Sequence, residues 1–186
     1  MKTPPRSPID HDSMSQHILH AFEEALRSLK QDVIRMASVA QRNVTGAVHG
    51  LLERDTDQCN RVIAEDDEVD QLEKAIDQTG LEIVMKYSPV ASDLRRVFVA
   101  MKIGQQLERI SDEAVSIARR ARKINSHTPV PEAQFIQGVY DLAAAMLRDA
   151  VARYLGDHGA LARTRAFAAN KETRAGDVIA GLADLG

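Results

Sequence analysis

Residues 61–87 read RVIAEDDEVDQLEKAIDQTGLEIVMKY. Val62, Val69, Leu72, Ile76 and Ile83 recur at spacings built from threes and fours, so a helix collects them on one face. No alternation of Val, Ile and Thr, the mark of a half-buried strand, occurs here or elsewhere in the chain. Asp55 suits an N-cap with Gln58 in the reciprocal position, and Pro89 cannot continue a helix, so one helix is expected from Asp55 to about Tyr87. Its face is only partly polar and needs partners to bury Ile76 and Ile83.

Those partners lie on both sides. Upstream, Ile18, Phe22, Leu26, Leu29, Val33, Met36, Ala40, Val44, Ala47 and Leu51 keep the same period, with Ser13 and Gln16 placed as a capping box. Downstream, Ser92 suits a cap, and Leu94, Val97, Met101, Leu107, Ile110, Ala114, Ile117 and Ala121 form a third stripe ending before Asn125. Each helix is roughly 30 residues or about 45 Å long at 1.5 Å per residue. Connections this short force neighbours to pack up-down-up, so residues 13–125 are expected to form an antiparallel three-helix bundle. Residues 1–12 carry Pro4, Pro5 and Pro8 with few apolar groups and are expected to be a disordered leader. Residues 126–131 read as a linker, and Pro131 suits a first helical turn. In residues 132–186, Phe135, Val139, Leu142 and Met146 define a fourth helix face, with Leu147 and Val151 beside them. Gly156 and Gly159 mark a turn, and Val178, Ile179, Leu182 and Leu185 give a fifth helix.

Composition narrows the class. The 186 residues are 44% hydrophobic and 27% charged with a formal net charge of −3, as expected of a folded protein without a global pull toward nucleic acid. The tract Arg119, Arg120, Arg122, Lys123 sits where a helix ends and complements its dipole. No apolar run approaches the roughly 18 residues of a membrane span, and the first residues lack a signal-peptide core, so a cytoplasmic location is expected. Cys59, the single cysteine, excludes an internal disulfide and reads as a core filler.

Residues 65–73, EDDEVDQLE, contain six acids and no base. Asp66 stands out by position: four after Val62 and three before Val69, it falls within the apolar stripe, and Asp70 lies one turn on. The third helix repeats this with Glu108 and Asp112 beside Leu107 and Ile110. Four carboxylates meeting between antiparallel helices repel by about 1 kcal/mol per pair at 4 Å in water, and up to about 4 at an effective dielectric of 20. A bound cation, an arginine such as Arg61 or Arg109, or separation by solvent must offset this. Oxygen donors without His or Cys favour magnesium, calcium, manganese or iron. Two exposed, independent pairs are the plainer alternative. Di-iron oxidation sites in bundles use Glu-x-x-His, whereas Ser111 follows Glu108 by three and no histidine lies between Asp55 and Asn125. His11, His17, His20, His49, His127 and His158 are scattered, and no phosphate loop or nucleophile with a partnered base is found. A carboxylate-bridged metalloenzyme and a purely structural helical oligomer are the competing readings.

RVIAEDDEVDQLEKAID, SPVASDLRRVFVAMK and LERISDEAVSIA together resemble the PhoU family of phosphate-uptake regulators from Asp55 to about Lys123. The family's acidic E/D-x-x-x-D pattern is matched by Asp66 with Asp70 and by Glu108 with Asp112, and A-S-D-L-R by Ala91 to Arg95. The resemblance implies two similar three-helix bundles, a metal ion on the acidic pairs, and an adaptor that restrains a phosphate ABC transporter and a sensor histidine kinase. Asp93 and Arg95, just inside the third helix, are candidates for partner contact or for capping. Ser111 stands where the family has glycine. Asn170, Lys171, Glu172, Thr173 and Arg174 stand where the second repeat would carry its first acidic motif, so that repeat is expected to be incomplete, with one metal site in the first bundle. A two-helix second half leaves the Phe135, Val139, Leu142 and Met146 face short of cover, so self-association is expected.

Overall fold

A computed structural model of the chain describes residues 11–156. Five α-helices run in order: α1 (His11–Leu52), α2 (Thr56–Ala64), α3 (Asp66–Tyr87), α4 (Ala91–Asn125) and α5 (Ile136–Tyr154), with a 3-10 turn at Pro131–Phe135 before α5. Among the described residues there is no strand, and no helix is long and apolar enough to cross a membrane. The fold is the all-α bundle that the periodicity predicts. The fifth helix expected after the Gly156 and Gly159 turn, with Val178, Ile179, Leu182 and Leu185 on its face, and residues 1–10 of the expected leader, lie outside the described residues.

Helix α1 runs parallel to α4, and the descending pair α2 and α3 packs against both. Leu29, Val33, Met36 and Ala40 of α1 meet Val69, Leu72, Ile76 and Ile83 of α3 and Val97, Ala100 and Leu107 of α4 in one buried cluster. A second cluster joins Ala47 and Leu51 to Cys59 and Val62 of α2 and to Ala114, Val115, Ala118 and Ala121 of α4. Burying each large side chain contributes roughly 1.5 to 3 kcal/mol, and small residues along α4 let the backbones approach. At the junction of the two clusters Asn43 and Ser111, 0% and 1% exposed, share a hydrogen bond of 2.9 Å from Asn43 Nδ2 to Ser111 Oγ.

The boundaries depart from expectation where the chain is clipped by specific bonds. The single helix expected over residues 55–87 is two: Glu65, with ψ −3°, ends α2 by donating to the Arg61 carbonyl and opens α3 by accepting from Glu68 N–H. Asp55 does cap α2, its Oδ1 accepting from Gln58 N–H at 2.8 Å. Helix α1 begins at His11, so Ser13 lies inside it rather than capping it. Val90 rather than Ser92 precedes α4, accepting from Asp93 N–H. The left-handed turn at Ser88, φ +46°, lets its N–H return to Val84 and reverses the chain before Pro89. Arg54, also at positive φ, donates to the carbonyls of Asn125 and His127, and Asn125 Nδ2 donates to the Gly50 carbonyl, which ties the α1–α2 corner to the end of α4.

Helix α5 returns along the bundle. Its inward side is not the expected Phe135, Val139, Leu142 and Met146 stripe but the neighbouring one. Ala144 is buried, and Leu147, Val151 and Tyr154 pack on the first core cluster. Phe135, Val139 and Met146 are 38%, 70% and 50% exposed. Leu147, Val151 and Tyr154, at helical spacing on α5, join Phe22 and Leu26 of α1 around the first core cluster.

Candidate metal centre

The break at Glu65 sorts the acidic run by face. Asp66, Asp67 and Glu68 occupy the first turn of α3, where the helix dipole favours negative charge. Glu65 and Glu68 turn toward α1: Arg35 Nη2 donates to Glu68 Oε1 at 2.8 Å, and Arg42 lies 3.6 Å from Glu65. Asp66 and Asp70 instead face α4, where Glu108 and Asp112 wait one turn apart. The counter-charge at this seam is Arg119, 3.7 Å from Asp66 Oδ2. Arg61, named above for that role, turns to Asp55 at 3.6 Å and to Gln58.

The four carboxylates feel one another across the α3–α4 seam. Burial, then Asp112, then Asp70 raise the Asp66 carboxyl above its ordinary value of 3.8, with Arg119 pulling the other way and Asp67 adding to the rise. Burial, then Asp112, then Glu73 raise Glu108 above 4.5, and a hydrogen bond with Asp112 and the charge of Asp70 add to this. Asp66, Asp70 and Glu108 are half-buried and Asp112 is exposed, so the cluster sits at the edge of the bundle and reaches water. Glu73 belongs to this cluster and was not picked out by the E/D-x-x-x-D pattern. Asp77 continues the row: Asp66, Asp70, Glu73 and Asp77 step by four, three and four along α3. Asp77 Oδ1 is a buried atom with no hydrogen-bond partner. The signal was in the sequence as a heptad-spaced acidic row.

The donor chemistry suits a hard, oxygen-seeking cation. The geometry is not that of a closed cage: among the described residues no three His, Cys, Asp or Glu groups converge as an ion would require. Side-chain rotation at Asp66, Asp70, Glu108 and Asp112 would have to complete coordination. Asp93 lies elsewhere, at the start of α4, 3.3 Å from Arg96, and Arg95 projects into a different groove.

Without a cation the seam stores repulsion. Asp66 and Glu108 have folded-state pKa values above their unfolded ones, so the native state holds more protons just above 3.8 and 4.5 and loses stability as pH rises through that window. Asp112→Asn removes the charge that raises both. In chelator it is expected to raise stability at pH 7 by up to about 1 kcal/mol, the size of a like-charge contact at 4 Å in water, and by less at pH 4. Urea denaturation at the two pH values measures this.

The fold and this seam define a class: an all-α bundle protein with paired carboxylates between two of its helices. The PhoU domain pattern matches residues 33–121, which include all four carboxylates. Over those residues the chain is similar to the PhoU family. It is 35% identical over 113 residues to the phosphate-specific transport system accessory protein PhoU of Escherichia coli K12, covering 61% of this chain and 47% of that protein. It is 31% identical over 144 residues to a homologue from Pseudomonas putida, covering 77% and 56%, and 26% identical over 144 residues to one from Xylella fastidiosa Temecula1, covering 77% and 60%. The chain thus spans 47% to 60% of the length of these curated relatives. The crystal structure of PhoU from Pseudomonas aeruginosa superposes with a TM-score of 0.79 at 24% identity over 88% of this chain and 79% of the other, which establishes the shared fold.

Proposed function

We propose that this chain regulates phosphate uptake as a non-enzymatic adaptor on the cytoplasmic side of the membrane. In this reading it restrains a phosphate ABC transporter, through its ATPase, and a phosphate-starvation sensor histidine kinase when phosphate is ample. The observation that carries the reading is the coincidence of the PhoU match with the acidic seam: residues 33–121 span both acidic pairs. The names of the relatives, phosphate-specific transport system accessory proteins, supply the process. A divalent or trivalent cation such as magnesium, calcium, manganese or iron at Asp66, Asp70, Glu108 and Asp112 would relieve the repulsion and fix the seam's shape. The exposed Phe135, Val139 and Met146 on α5 support self-association, with a homodimer as the simplest form.

The test is deletion of the gene in a strain from which other PhoU-domain genes have been removed, with a phosphate-starvation reporter read in high phosphate. Reporter output is expected to rise on deletion. Output unchanged by deletion would overturn the regulatory reading.

A further inference from the structure

A groove of about 1010 Å³ opens between the first half of α4, the α1 segment around Leu29, and the end of α5. It is separate from the acidic seam. Its walls include Leu29, Val99, Ile103 and Tyr154, and Val99 remains 42% exposed. Five cations, Arg27, Lys30, Arg95, Arg96 and Arg153, border these apolar groups, and among the described residues no acid lines the groove. That is a concentrated positive rim on a chain whose formal net charge is −3. Asp93 partly satisfies Arg96 at 3.3 Å, while Arg27, Lys30 and Arg95 are exposed and have no ion pair among the described residues. An occupant of matching chemistry is apolar on one side and negative beside it.

Shape and charge narrow the occupant further. Ser92, Arg95, Val99 and Ile103 step by three and four along α4, so the groove follows one face of that helix for roughly three turns, or about 17 Å. An α-helix about 10 Å across encloses about 1300 Å³ over that length, so a three-turn helix can lie with most of its bulk inside the groove. The cations stand on opposite walls, Arg27 and Lys30 on α1 and Arg95 and Arg96 on α4, and so call for acids on both flanks of such a helix rather than for a single anionic head. The chain's own acidic helix, α3, commits Val69, Leu72 and Ile76 to the core, so a second copy of the described bundle has no helix of this kind to offer. We propose that this groove receives an acidic amphipathic helix of another protein, apolar side chains against Val99 and Ile103 and carboxylates against Lys30 and Arg95. The proposal takes from the regulatory reading only that the chain works by contact with a protein partner.

Photocrosslinking in the deletion strain tests this, with the full chain carrying p-benzoylphenylalanine at Val99 and the captured peptide identified by mass spectrometry. The expected capture is a segment of a different protein with apolar residues at helical spacing and Asp or Glu on both sides of them. Lys30→Glu with Arg95→Glu is expected to cut its yield at least about tenfold, because like charges then face each other across the contact. Both side chains are exposed, and an unchanged urea midpoint confirms that the variant folds. Exchanging the captured segment's acids for lysines is expected to restore the cross-link to that variant. A cross-link confined to this chain or to a second copy would overturn the proposal, as would capture of a segment without acids, a yield indifferent to the charge reversal, or no cross-link at all. Capture on a protein with no part in phosphate uptake or its signalling would uphold the docking site and count against the regulatory reading.

Discussion

Ile76→Ala is expected to lower the unfolding free energy by about 2 to 5 kcal/mol, the largest single effect among the core positions of α3. Ile76 is 0% exposed and lies over the bare backbone of Gly104, where an added Cβ would stand 3.3 Å from its Cγ2 and 3.5 Å from its Cδ1. Truncating it empties the α3–α4 contact at a point where α4 has no side chain with which to fill the space, so the site collapses poorly. The same geometry gives a second-site test. In the native background Gly104→Ala must push against Ile76, which offsets the roughly 1 kcal/mol that alanine gains over glycine inside a helix. With Ile76→Ala the obstruction is gone, so adding Gly104→Ala is expected to recover about 1 kcal/mol or more. Urea denaturation of the two single variants and the double variant measures the coupling.

Ser111→Ala is expected to cost about 1 to 3 kcal/mol, more than a surface serine would, because it strands a buried partner. Asn43 is 0% exposed, its Oδ1 already has no partner, and the Ser111 hydroxyl is the acceptor for its Nδ2. Asn43→Leu removes the demanding group instead, and the remaining hydroxyl can turn back to a carbonyl of its own helix. The double change Asn43→Leu with Ser111→Ala is expected to be close to neutral, and so more stable than Ser111→Ala alone. A double-mutant cycle by chemical denaturation reads this non-additivity. The Asn43–Ser111 hydrogen bond ties α1 to α4 where the two apolar clusters meet.

Much of this was legible because burial imposes a period. Leu29, Val33, Met36 and Ala40, or Val69, Leu72 and Ile76, can be buried together only on a helix, and the structure places them so. The break at Glu65 left no glycine or proline to read. Its trace is the trio Asp66, Asp67 and Glu68, which suits a helix N-terminus as well as it suits a metal. The face of α5 was misread because large side chains were weighted over position. Phe135 and Met146 stayed in water, while Ala144 and the apolar body of Tyr154 settled on α1. At the seam, spacing found Asp66, Asp70, Glu108 and Asp112, but a four-residue template could not show that Glu73, three residues beyond Asp70 in the partner helix, raises Glu108. Nor could it choose among arginines: Arg119 reaches Asp66 only because α4 runs past the start of α3.

The acidic seam is the part of the molecule on which the regulatory reading stands. Its most direct measurement is complementation of the deletion strain by a chain carrying Asp66→Asn, Asp70→Asn, Glu108→Gln and Asp112→Asn, with folding checked by urea denaturation in chelator. The expected result is a protein at least as stable as the unaltered one that nevertheless leaves the phosphate-starvation reporter high in ample phosphate. Full repression by that variant would contradict a functional role for the seam.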